Sequence, residues 1–160
     1  MAEKSIYRIS AGELSVALEK SKGGISLYSI RDKKLKKNLL TRAKPLFTLT
    51  ARAVLSDDKI TVKSSEGWAS SEVFSSKEST TVILSGNKAL PMVTVTITAV
   101  CESNRITWTT TLNSANDEYA LFECDYVILS FDTNSNTSFF SPYGCGEVYP
   151  SNAKEYNSTQ

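Results

Sequence analysis

From Ala89 to Leu112 apolar and polar residues alternate with little interruption. Val93, Val95, Ile97 and Ala99 fall on one side of the pattern, and Thr94, Thr96 and Thr98 on the other. After a polar turn, Glu102 to Arg105, the alternation resumes: Ile106, Trp108, Thr110 and Leu112 against Thr107, Thr109 and Thr111. A period of two puts successive side chains on opposite faces of a pleated strand. Valine and threonine are stiff at χ1 and favour a pleat over a helix. The stretch predicts two long antiparallel strands joined by a tight loop. Such a hairpin is marginal alone in water, so other strands must cover it.

Similar patterns recur at short spacing along the chain. Ile6 to Ile9 predicts a short opening strand, and Leu14, Val16 and Leu18 alternate with polar or small neighbours. Gly23-Gly24 predicts a turn into Ile25 to Ile30, because glycine tolerates positive φ. A lysine-rich turn, Arg31 to Lys44, leads to Pro45 and then to Phe47, Leu49, Ala51, Ala53 and Leu55 on one face. Asp57-Asp58 turns the chain into Ile60 and Val62, and Trp68 to Phe74 and Thr80 to Leu84 are two further strands. Tyr119 to Asp132 is the most apolar run. Its β-branched and aromatic residues predict a strand buried on both faces. Phe139-Phe140 predicts a last short strand. No amphipathic helix emerges. Roughly ten to twelve short strands imply an all-β fold, a two-sheet antiparallel β-sandwich over residues 1–141. Pro142, Gly144, Gly146 and Pro150 make residues 142–160 an irregular tail or a linker to a downstream domain.

A chain of 160 residues suits one such domain and can bury about two-thirds of its unfolded surface. No stretch has the ~18 apolar residues that a spanning helix needs, so no membrane span is expected. The opening MAEKSIYRIS lacks the apolar centre of a secretion signal, which leaves the compartment undetermined. The net charge of +1 hides an asymmetry: residues 1–63 hold fourteen Lys and Arg against six Asp and Glu, whereas residues 64–160 hold four against eleven. The excess is concentrated in Arg31 to Lys44. It reads first as a solvated turn whose lysines discourage edge pairing, and second as a phosphate or anionic-glycan patch. No nucleic-acid partner is expected.

Histidine is absent. That excludes a Ser-His-Asp triad, a Cys-His pair and imidazole metal ligation within this chain. Cys101, Cys124 and Cys145 have no CxxC spacing, so neither a metal site nor a cofactor is expected. Free buried thiols, or a Cys101–Cys124 pair with Cys145 left over, both fit the spacing. Glu123 and Asp125 lie two apart on one strand, ~6.6 Å along it. Glycosidases use carboxylates that flank a bond, whereas these two point the same way and read as solvent-facing or ion-paired acids. No catalytic residue is assigned. Trp68, after Gly67 among Ser and Glu, is a candidate ligand or interdomain contact, whereas Trp108 reads as core. Tyr143 and Tyr149 are the candidates in the Gly-rich tail. Asn136 and Asn157 open glycosylation sequons.

The span ELSVALEKSKGGISLYSIRDKKLKKNLL, followed by PLFTLTAR, resembles the opening of galactose-mutarotase-like β-sandwich domains. These "supersandwiches" stand at the N-terminus of several glycoside hydrolases. The corresponding pieces are Leu14 to Leu18, Gly23-Gly24, Ile25 to Asp32, Leu39-Leu40 and Pro45-Leu46-Phe47, about the first third of the chain. The resemblance implies a non-catalytic domain that packs beside and orients a catalytic domain in cis, in a longer carbohydrate-active polypeptide. Free-standing mutarotases of this fold use a histidine with an acid, and the absence of histidine leaves those roles without counterparts. The alternative is a free-standing carbohydrate-binding or structural module, with a hydrolase using the acids alone a distant third.

Overall fold

The computed structural model describes residues 4–115, 117–128, 138–141 and 147–150. The chain divides into two compact units, residues 1–130 and residues 131–160. Among the described residues there is no helix, hence none that could cross a membrane.

The first unit is all-β, three antiparallel sheets around one core in the manner of a β-sandwich. β1 (Ser5–Ala11), β2 (Leu14–Ser21) and β3 (Gly24–Asp32) form a meander, extended by the short β4 (Lys37–Asn38) and β5 (Lys44–Pro45), both of which pair with β3. A second sheet has β6 (Phe47–Ala53) at its centre, with β7 (Lys59–Lys63) on one side and β12 (Tyr119–Tyr126) on the other. The third runs in sequence order through β8 (Trp68–Ser75), β9 (Ser79–Asn87), β10 (Val93–Glu102) and β11 (Arg105–Ser114). The β-sandwich expected with two sheets is divided into three ladders, the chain passing at Leu46 from β5, paired with β3, to β6, paired with β7 and β12. The predicted hairpin is β10–β11, in register from Val93 opposite Ser114 to Glu102 opposite Arg105.

The alternating pattern translates directly into burial. Val93, Val95, Ile97 and Ala99 are 0–1% exposed, and the intervening threonines lie on the other face. Leu18, Ile25, Leu27, Leu46, Phe47, Leu49 and Leu84 complete the centre of the core. Around Ser64 the first and second sheets are stitched together. This serine is fully buried, and its hydroxyl donates to Ile25 O (2.8 Å) while accepting from Leu46 N (2.7 Å) and Phe47 N (3.4 Å). Its own N–H donates to Phe47 O (3.1 Å) and its carbonyl accepts from Ile25 N (2.7 Å). Every polar atom of a residue that would be costly to bury is therefore satisfied.

Three expectations are corrected. Of the expected strand Tyr119 to Asp132, the described part Tyr119–Tyr126 is not buried on both faces: β12 pairs only with β6 among the described residues, and Phe122 and Tyr126 are exposed. An apolar run reads alike in a central and an edge strand, and the pairing decides. Leu55 does not share the face of Phe47, since β6 ends at Ala53 and Leu55 stands 98% exposed in the turn before β7. In the second unit, β13 (Ser138–Ser141), which contains the expected Phe139-Phe140, pairs with β14 (Glu147–Pro150). The division expected after residue 141 falls between the partners of this hairpin, and Glu147–Pro150 is a strand instead of irregular tail.

Candidate functional site

Trp68 does not stand where a ligand could reach it. It is 3% exposed, its ring meets Phe47 edge-to-face with centroids 6.0 Å apart, and its Nε1–H donates to Lys63 O at 2.8 Å. Trp68 opens β8: the Ser65, Glu66 and Gly67 that suggested exposure lie in the turn before the strand, and Ala69, next along it, faces outward, so the indole takes the inward face. Its backbone N–H donates to Gly23 O (3.0 Å), which draws the first and third sheets together. This correction removes Trp68 as a sugar platform. Tyr149 lies on β14, opposite Phe139. Tyr143, Cys145, Asn136 and Asn157 lie outside the described residues.

The carboxylates behave as solvent-facing acids. The register sets Glu123 opposite Thr50 and Asp125 opposite Thr48. Both acids are exposed, and Asp125 Oδ2 accepts from Thr48 Oγ1 at 3.2 Å. A bulge between Leu121 and Glu123 leaves Phe122 without a partner and turns it outward, under the ammonium of Lys59 at 4.9 Å. Among the described residues no group of three or more His, Cys, Asp or Glu is placed to hold a metal.

Cys101 and Cys124 are free, which sets aside their pairing. Burial raises the Cys124 thiol above its ordinary pKa, and the charge of Asp125 beside it adds to the rise. The folded state then keeps a proton that the unfolded chain gives up, so this group costs stability as pH climbs through the ordinary thiol range, about 8.5 and above, and contributes nothing below it. Urea unfolding at pH 7 and pH 10 should show a smaller loss in Cys124→Ser than in the parent. Equal losses would remove Cys124 from the balance.

Two surface features remain, and neither was singled out residue by residue in the sequence. The first is the edge of the third sheet. β11 is paired along its whole length to β10 with no bulge. Among the described residues, its other edge has no partner strand. Its one charged residue, Arg105, is tied back to Glu102 across the turn, so Ile106 to Ser114 offers an edge without charge, Pro, Gly or bulge. Its inward row, Ile106, Trp108 and Leu112, packs on the core but is only partly buried. Natural edges are normally protected by one of those devices. β12, by contrast, carries both a bulge and two acids.

The second feature is an open depression of about 320 Å³ lined by Arg8, Ser15, Arg31, Asp32, Lys33 and Lys36. It draws on the expected basic turn but also on β1 and β2. Arg8 lies opposite Ala17 and Arg31 opposite Ser15, so both arginines flank one face of β2. Lys33 is anchored by Nζ to Gly12 O (2.9 Å) and by its N–H to Glu13 O (2.8 Å). The one acid, Asp32, accepts from Leu35 N at 2.9 Å and shapes the turn. A larger depression, of about 470 Å³, lies between the β2–β3 turn and β8 and is lined by serines with Lys20 and Lys22. No family model matches the chain, and no curated protein or solved structure matches it.

Proposed function

We propose that this chain is a non-catalytic β-sandwich module of a carbohydrate-active enzyme, packing against a catalytic domain through the β11 edge and orienting it. The observation that carries this reading is the unprotected edge of β11, flanked by an apolar row that is only partly covered. A straight edge of this kind adds a strand from a neighbour through main-chain hydrogen bonds, while the half-covered side chains gain burial. The resemblance of Leu14 to Phe47 to the opening of supersandwich domains supports the choice of neighbour. The free-standing carbohydrate-binding module is the competing reading.

The test is hydrogen exchange on the 160-residue chain and on the full natural polypeptide that contains it. Amides of Arg105–Ser114 should be protected at least about tenfold more in the longer protein, while those of β9 stay unchanged. Equal protection, a natural reading frame without a further domain, or release of reducing sugar by the 160-residue chain alone would each overturn the proposal.

A further inference from the structure

We propose that the depression between β1 and the turn after β3 is a binding site for a compact oxyanion group (carboxylate, sulfate or phosphate), held between Arg8 and Arg31. It is separate from the β11 edge and does not depend on that reading.

Four cations and one carboxylate line this depression, and the imbalance is not relieved locally. Among the described residues Arg8, Arg31 and Lys36 form no ion pair. The Asp32 carboxylate is engaged with a backbone amide. Of the nearby acids, Glu19 pairs with Lys4, Glu102 pairs with Arg105, and Glu13 lines an adjoining hollow with Leu14, Leu39 and Asn104 that shares Asp32 with this one. Like charges gathered without partners repel one another, and an anion seated among them removes that repulsion while gaining attraction from each.

The scaffold is also suited to the task. Arg8 and Arg31 stand on strands either side of β2, opposite residues two apart on the same β2 face. The usual strand spacings put their Cα atoms roughly 12 Å apart, a span that two arginine side chains can close around one group. Guanidinium groups present paired donors that match an oxyanion bidentately. Ser15 lies on the floor between them and donates or accepts as needed, within reach of Ser10 (Oγ–Oγ 3.4 Å). Lys33 is held by two bonds to the β1–β2 turn, so the rim is set before any ligand arrives.

Geometry also separates a compact ligand from a nucleic acid. The cations surround one hollow near the small end of the usual range for ligand clefts, instead of running as a stripe. No aromatic side chain lines it, whereas single strands are held on aromatic platforms.

The experiment is calorimetric titration of the 160-residue chain at low salt with inorganic phosphate, inorganic sulfate, an oligogalacturonide, a neutral oligosaccharide of the same length and a short DNA oligonucleotide. The expected result is saturable 1:1 binding of at least one of the oxyanion ligands and none of the neutral sugar. Affinity should weaken several-fold from 50 to 200 mM salt. The oligogalacturonide binding tighter than phosphate and sulfate would assign the anion to an acidic saccharide; the reverse order would assign it to the free ion. Arg31→Glu, at an exposed position, should lower affinity at least tenfold and Arg31→Gln less. Lys77→Glu, in the β8–β9 turn, should stay within twofold. No binding, binding indifferent to Arg31→Glu, or an oligonucleotide that outbinds every compact anion would overturn the proposal.

Discussion

Trp68→Ala should lower the unfolding free energy by about 3–5 kcal/mol, the range for removing a buried aromatic. The indole is 3% exposed, packs edge-to-face on Phe47 and satisfies Lys63 O with its N–H. Truncation therefore opens a void and leaves Lys63 O with only the longer bond from Glu66 N (3.5 Å). Trp68→Phe keeps most of the volume and loses the hydrogen bond, so its cost should be smaller, about 1–3 kcal/mol. Urea denaturation followed by far-ultraviolet circular dichroism measures both. A loss below about 1 kcal/mol for Trp68→Ala, or an order reversed between the two variants, would mean that the indole does not hold this corner. Trp108, partly buried on β11, remains as a fluorescent reporter in either variant.

Gly24→Ala and Gly23→Ala should differ sharply although the residues are neighbours. At Gly24 (φ +156°) an added Cβ would lie 2.1 Å from Ser64 O, 2.7 Å from Ser65 C and 2.9 Å from Glu66 N. All three are backbone atoms that cannot swing aside. The start of β3 must then part from the Ser64–Glu66 segment, breaking Ile25 N→Ser64 O and loosening the hydroxyl bonds of Ser64 to Ile25, Leu46 and Phe47. Overpacking costs about 1–3 kcal/mol and each orphaned buried group adds a similar amount. We expect a loss of at least about 3 kcal/mol on that basis. At Gly23 the nearest atom to an added Cβ is Gly67 N at 3.5 Å, an ordinary contact, so the change should stay within about 1 kcal/mol. Thermal and urea midpoints of the two variants decide the matter, and similar midpoints would refute the close approach at Gly24.

Much of the architecture was legible because it is written in neighbouring residues. The hairpin β10–β11 appears within a few residues of where alternation places it, and Asn104 sits at its tip as the polar turn suggests. Glu123 and Asp125 are the exposed acids expected. The Gly23-Gly24 turn was visible too, but not that Gly24 alone carries the positive φ while Gly23 needs none. Trp68 was misplaced for a specific reason. Its sequence neighbours are polar, yet its burial comes from Phe47, Lys63 and Gly23, which reach it through pairing across three different strands and turns. Ser64 gave no signal at all, since a serine after a strand usually faces water.

The cationic depression shows the same division. The lysines of Arg31 to Lys44 announced a basic turn, but Arg8 stood far away in sequence, and only the pairing of β1 and β3 on either side of β2 sets it beside Arg31. The edge status of β11 and β12 was likewise invisible, because an apolar strand alternates identically with one partner or two. By itself, then, the amino-acid order determined an all-β chain with its strands, their inward faces and several of their turns, since these follow from side-chain periodicity and backbone preference among adjacent residues. Only the tertiary structure decided which strands became edges, how many sheets formed, which polar side chains were buried and which charges gathered. Each of those depends on contacts between residues far apart in the chain, whose free energy no local pattern encodes.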